Sequence, residues 1–229
     1  MDSAHSAVRF AGVLCLFLVG CGDGEDGAGP TAGPTQTGTE CSGSGSRFAT
    51  AVVEHSFGTG QDFGQDTFPA PVLGPPAGGG CCKGSLDVTS LGEGGFVTLE
   101  FANNSIVDGP GPDFIVFENA FQVDESDPAS VFAELGSVAV SEDGETWVGY
   151  ECQAAEYPFM GCAGWHPTLV NADESELVLL DPETAGGDAF DLAELGLESA
   201  RYVRIEDWPD EDESTFDLDA VGIVNAACP

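Results

Sequence analysis

Residues 113–119 read DFIVFEN, in which Phe114, Ile115, Val116 and Phe117 follow one another without a polar break. A strand with one wet face alternates apolar and polar residues, so this run is either a strand buried on both faces or one central in a sandwich. The rest of the chain offers other strands to pack against it. Residues 48–54 (FATAVVE), 95–101 (GFVTLEF), 137–141 (SVAVS), 146–150 (TWVGY), 176–180 (ELVLL), 200–206 (ARYVRIE) and 216–225 (FDLDAVGIVN) all have strand character. Residues 137–150 form a hairpin around Asp143-Gly144, with Trp147 expected in the core. Only residues 188–196 (DAFDLAELG) suit a short helix, and no segment is both long and 3.6-periodic. With 32 Gly and 14 Pro in 229 residues, short strands and many turns are favoured over long helices. Residues 57–84, rich in Gly and Pro, must be an irregular loop that is functional or pinned by other means. The expected fold is all-β, an antiparallel β-sandwich with Greek-key or jelly-roll connections.

Charge excludes several partners. The chain carries 40 Asp+Glu against 5 Lys+Arg, a formal net charge of −35. Such a chain does not bind nucleic acid through phosphates, nor an anionic membrane surface by charge. Disorder is not implied, because 42% of residues are hydrophobic and 15 are Phe.

The first twenty residues read as an export signal. Arg9 precedes an apolar run, residues 10–20 (FAGVLCLFLVG), which is too short to span a bilayer and has the length of a signal-peptide core. Its end, Leu18-Val19-Gly20-Cys21, resembles a bacterial lipoprotein lipobox. That resemblance implies cleavage before Cys21 and lipid on its sulfur and new amino terminus, enough chains for stable anchoring. Gly22 after the cysteine, in place of Asp, then points to the outer membrane and the cell surface. Residues 21–46, mostly Gly, Ser, Thr, Pro and acid, read as a flexible tether, and 47–229 as the sandwich domain. Losing Asp2 and Arg9 together leaves the charge at −35.

Six cysteines remain after Cys15 leaves with the signal and Cys21 takes lipid: Cys41, Cys81, Cys82, Cys152, Cys162 and Cys228. An even count in an exported chain points to disulfides, although six cysteines allow fifteen connectivities. Cys152 and Cys162 close a loop of modest length, and a Cys41–Cys228 bridge would staple the two ends of the domain. The adjacent Cys81 and Cys82 form either a vicinal disulfide or two thiols paired elsewhere. The C-x2-C pairs and clustered histidines that zinc requires are absent.

Two resemblances sharpen the fold. Residues 141–147 (SEDGETW), followed by Ala200-Arg201-Tyr202-Val203-Arg204-Ile205, are similar to the hairpin and strand motifs of the discoidin (coagulation factor 5/8 C-type) jelly roll. Its galactose-binding-like relatives include many carbohydrate-binding modules and often carry a structural calcium. Residues 109–121 (GPGPDFIVFENAF), 186–193 (GGDAFDLA) and 216–221 (FDLDAV) resemble a group of uncharacterised bacterial cell-surface proteins, over nearly the whole chain past residue 57.

Three kinds of chemistry are in view. Calcium wants six to eight oxygens held by turns. Asp108 and Asp113 flank a Gly-Pro turn, and Glu118 and Asn119 end the apolar strand. Asp217 and Asp219, at i and i+2, are expected on one strand face, and Asp188 and Asp191 follow Gly186-Gly187. Only Arg47, Lys83, Arg201 and Arg204 survive processing to neutralise acids, and that shortage is the argument for a bound calcium. Carbohydrate is the second, with Tyr157, Trp165 and His166 in or just after the Cys152–Cys162 loop and Trp208 after the ARYVRIE strand as stacking residues. Catalysis is the third and has no motif: neither a G-x-S-x-G elbow, nor H-E-x-x-H, nor a phosphate loop occurs. The expectation is a monomeric, calcium-stabilised binding or adhesion module and not an enzyme. A polysaccharide-acting hydrolase and a purely structural envelope protein are the rivals.

Overall fold

The structure, a computed structural model, describes residues 45–60, 62–124, 126–209 and 214–228. The expected signal segment, the expected lipidation site Cys21, nearly all of the expected tether and Cys41 lie outside the described residues. Among the described residues, fourteen strands appear in chain order. The first five are β1 (Ala51–Ser56), β2 (Thr89–Ser90), β3 (Phe96–Glu100), β4 (Ile106–Val107) and β5 (Phe114–Glu118). Then come β6 (Phe121–Gln122), β7 (Val131–Phe132), β8 (Gly136–Ser141), β9 (Val148–Gly149) and β10 (Cys162–Ala163). A short helix, α1 (Glu176–Leu179), precedes β11 (Asp188–Phe190), β12 (Ser199–Ala200), β13 (Tyr202–Asp207) and β14 (Asp217–Ile223).

One sheet has the order β1-β3-β13-β8-β10, with β9 also on β8, and the other has β11-β5-β14-β2. All of these pairs are antiparallel. The chain passes alternately between the sheets, from β3 to β5, β8, β11, β13 and β14. That is why sheet neighbours are distant in sequence. Between the sheets Val97, Leu99, Val138, Val140, Val203 and Ile205 meet Phe114, Val116, Phe190, Leu218, Val221 and Ile223 in one core. This is an antiparallel β-sandwich.

β5 is the strand on which both expectations for residues 113–119 hold. It lies inside its sheet, and all five of its residues are buried. Phe114 and Val116 face the main core, while Ile115 and Phe117 enter a second cluster with Phe48, Val170, Leu179, Leu180 and Ala185. Burying a large apolar side chain stabilises by roughly 1.5–3 kcal/mol, so four of them in succession fix this strand on both faces.

Two expectations of secondary structure fail. Residues 176–180 turn as a helix, because only Leu179 and Leu180 of that run reach the second cluster, while Leu177 stays exposed. A short apolar run is consistent with either period, and tertiary packing decides. Residues 188–196 are helical only in their second half. Asp188–Phe190 instead pairs with Val116–Phe114, placing Phe190 on Phe114 at 5.2 Å, and a 3-10 turn follows at Leu192–Leu195. Asp191 accepts from Ala193 N–H at its start, and Gly196 at φ 67° ends it.

The Asp143-Gly144 hairpin is present, pairing β8 with β9. Asp143 accepts from the N–H groups of Glu145 and Thr146, and Gly144 sits at φ 77°. Trp147 is not in the core. It is half-buried, with the Arg204 guanidinium 4.4 Å from its ring centre.

The long loop, residues 57–84, is irregular apart from a 3-10 turn at Ala70–Val72, and it is pinned. Gly74 N–H donates to Ala49 O, Gly78 N–H to Val170 O and Gly80 N–H to Thr168 O. Cys81 and Cys82 are bonded to each other, and Cys152 is bonded to Cys162. Cys228 is also disulfide-bonded, while its expected partner Cys41 lies outside the described residues.

Candidate functional site

The expected site residues gather in three places. At the start of β5, Asp108, Asp113 and Asp191 each direct a carboxylate oxygen into a group whose members lie within 4.8 Å of one another. Asp113 is fully buried and heavily bonded. It accepts from Gly109 N–H at 2.9 Å, Asn225 Nδ2 at 2.8 Å and Leu192 N–H at 2.8 Å. These bonds tie together the Gly-Pro turn, the end of β14 and the 3-10 turn after β11. Asp108 is exposed and Asp191 half-buried, so the trio opens to solvent on one side. Asp188, expected with Asp191, is elsewhere.

At the other end of β5, Glu118, Asn119 and Asp217 come together. Asn119 Oδ1 accepts from Ser85 N–H, and its Nδ2 donates to Asp217 at 3.4 Å. Ser90 Oγ donates to the other oxygen of Asp217. Glu118 is 1% exposed; its Oε1 takes Asp217 N–H at 3.3 Å, and its buried Oε2 has no hydrogen-bond partner. Burial, with Glu134 and Asp217 nearby, pushes the Glu118 carboxyl well above the usual carboxylate range. Burial also raises Asp217. Beside them opens a cavity of about 270 Å³, lined by Phe63, Ser85, Leu86, Ser90, Asn119, Glu134, Thr215 and Asp217.

Asp219 does not share this site. A bulge falls between Leu218 and Ala220 in the pairing with β5, and it breaks the two-residue alternation that would have placed Asp219 with Asp217. Both Asp219 oxygens approach Ala77 N–H, at 3.0 and 3.1 Å, and burial with Asp87 nearby pushes its carboxyl up to about 7.

The third gathering is aromatic. Tyr157, Phe159 and Trp165 contact one another edge-on, with ring centres 5.6–6.2 Å apart, and His166 lies 3.7 Å from Trp165. Tyr157 is 40% exposed and the His166 side chain 49%. Asp188 holds this group from below. It is buried, accepts from Gly164 and Trp165 N–H through one oxygen at 2.6 and 3.1 Å, and meets His166 Nδ1 with the other at 2.8 Å. A neutral His166 ring therefore carries its proton on Nδ1 and leaves Nε2 as an acceptor. Trp208 is half exposed and makes none of these ring contacts.

Sequence reasoning missed Glu134, Ser90, Thr215, Phe63 and Leu86. They come from β2, the segment before it and loops elsewhere in the chain, and none carries a local motif.

No known protein family matches the chain, and no curated protein matches it. Among solved structures it is similar to the C-terminal domain of a chitobiase from Bacteroides fragilis, at 11% identity and a TM-score of 0.28. That alignment covers 56% of this chain and 61% of the other. A glycoside hydrolase aligns at 11% identity and a TM-score of 0.27, over 58% of this chain and 19% of its own.

Proposed function

We propose that the chain is a non-catalytic binding module of the bacterial surface, in which the Tyr157–Trp165–His166 platform receives a carbohydrate ring. In this reading lipid on Cys21 anchors the module at the outer membrane and residues 21–46 hold it away from the bilayer. The observation that carries the proposal is the partly exposed aromatic group fixed from beneath by buried Asp188. Aromatic faces stack on the apolar faces of sugars, while acceptors such as His166 Nε2 take hydroxyl hydrogens. Rigid support lowers the entropy lost on binding.

Calcium in this reading belongs at Asp108, Asp113 and Asp191. The fit rests on the donor set, three carboxylates converging within 4.8 Å, and Asp113 Oδ2, which takes only Leu192 N–H, keeps a lone pair free. Its role is to hold the Gly-Pro turn against the 3-10 turn.

Glycan-array binding followed by titration of Trp fluorescence tests the platform. A Trp165→Ala variant should lose binding with its melting temperature nearly unchanged, and no glycan binding above background would sink the proposal. Thermal unfolding with calcium and with a chelator tests the metal. A melting temperature equal in the two, or an Asp108→Asn variant that still responds to calcium, rejects that site.

A further inference from the structure

The sugar platform makes no use of the Cys81–Cys82 disulfide, and the disulfides among the described residues differ in exposure. Cys81 is exposed and Cys82 half-buried, whereas Cys152 is half-buried and Cys162 is 2% exposed. Cys228, also disulfide-bonded, is 3% exposed. The neighbouring glycines show the same contrast. A side chain at Gly80, next to Cys81, would meet nothing within 4 Å, while one at Gly161, next to Cys162, would strike the Glu151 backbone. Exchange with an external thiol requires access to a sulfur, so Cys81 is where such a thiol arrives first. Charge selects the same place. The attacking species is a thiolate, and a chain of charge −35 repels it over most of its surface. Residues 67–86 contain no Asp or Glu, and Lys83, the single lysine of the chain, directly follows Cys82. Lys83 forms none of the ion pairs among the described residues. An ammonium in that position draws in the thiolate and favours Cys82 as the leaving sulfur.

The disulfide also lies where its opening would be felt. Cys81 O accepts Gln122 N–H at 2.8 Å, and Gln122 belongs to β6, which pairs with β7. Closure through the two sulfurs restrains the peptide between Cys81 and Cys82, and the carbonyl of that peptide is the one Gln122 uses. We propose that Cys81–Cys82, with Lys83 assisting, is a reversible exchange site for a small external thiol, and that its opening loosens the start of β6. The incoming thiolate sulfur bonds to Cys81 Sγ as the Cys81–Cys82 bond breaks, and the bonding pair stays on Cys82 Sγ. A second thiolate attacks the small-thiol sulfur of this mixed disulfide and releases Cys81. Two thiols are thereby oxidised to one small disulfide, and their two electrons and two protons end on Cys81 and Cys82. The same small disulfide recloses the pair, because the second cysteine stands one residue from the first mixed disulfide formed.

Timed exposure of the full chain to glutathione, quenched with iodoacetamide and mapped by mass spectrometry, tests the site. Cys81 and Cys82 should become alkylated at least about tenfold faster than Cys152 and Cys162, since access controls exchange. Lys83→Gln, at an exposed position, should slow that opening severalfold. Hydrogen exchange on the selectively reduced chain should be severalfold faster at Gln122 and unchanged at Val116, deep in β5. A variant carrying both Cys81→Ser and Cys82→Ser should show the same fast Gln122 exchange with no thiol present. Three results overturn the proposal: Cys152–Cys162 opening as fast as Cys81–Cys82, an unchanged rate in Lys83→Gln, or Gln122 exchange that reduction does not alter.

Discussion

Asp113 and Glu118 stand at the two ends of one stretch of extended chain, and both are buried, at 0% and 1% exposure. Their surroundings differ in kind. Asp113 accepts from two backbone N–H groups and one amide nitrogen, and it also closes turns through its own backbone, whose oxygen takes Val224 and Asn225 N–H. Glu118 has one long bond at 3.3 Å from Asp217 N–H, a weaker approach from Asn119 N–H, and two other acids nearby. A carboxylate surrounded by donors holds loops together as a charge, whereas one surrounded by acids gives up its charge or waits for a cation. Burial alone therefore does not separate an acid that is well supplied with donors from one that is not. The donors around it do.

The largest expected effect tests the first half of that contrast. Asp113→Ala would strand the buried Leu192 N–H together with the Gly109 and Asn225 donors. It should cost about 4–5 kcal/mol, at about 1–3 kcal/mol for each donor left unpaired and allowing for non-additivity. Urea unfolding measures it; a loss under about 1 kcal/mol would mean that these bonds do not hold the turn.

Glu118→Gln tests the second half, with the opposite sign. The folded chain keeps the Glu118 proton to higher pH than the unfolded chain, whose carboxyl titrates near 4.5. Across that window the folded state binds more protons, so stability is present below pH 4.5 and is lost as pH rises above it. The isosteric amide removes the charge. The variant should unfold about 2 kcal/mol harder than wild type at pH 8, within the range for an uncompensated buried group, and equally at pH 4. A variant less stable at pH 8 would show that a cation or another partner already satisfies Glu118.

Most of the fold could be read in the sequence, because its signals are local. The unbroken apolar run of Phe114–Phe117 marks a doubly covered strand, and Asp143-Gly144 marks the hairpin by turn chemistry. The site was legible where its residues lie near one another in the chain, as with Tyr157, Trp165 and His166 around the Cys152–Cys162 loop. It was not legible where register or long-range closure decides. Nothing local announces the bulge that separates Asp219 from Asp217, and Ser90, Glu134 and Thr215 reach the cavity from segments far apart in sequence. Asp188 looked like a metal ligand from its glycine neighbours, yet it faces N–H groups of a loop more than twenty residues away.

Asp219 and Asp143 extend the contrast down to its small end. Asp219 resembles Glu118 in burial, but it has one shared donor, and its carboxyl rises only to about 7. Its contribution is present below pH 3.8 and is lost as pH rises from there to about 7, so Asp219→Asn should flatten the stability profile over that interval. Asp143 is the exposed counterpart of Asp113. Thr146 and Glu145 N–H, with the Ser141 and Thr146 hydroxyls, hold its carboxyl down at about 2. The sign reverses here, since a depressed carboxyl stabilises above its unfolded pKa and loses that contribution as pH falls toward 2. Water screens this group on every side, so Asp143→Ala should lower the melting temperature only slightly at pH 7 and not at all near pH 2. Differential scanning calorimetry at the two pH values distinguishes this from a packing effect. A drop at pH 7 as large as that of Asp113→Ala would mean that donor number, and not burial together with donors, sets what an acid contributes in this sandwich.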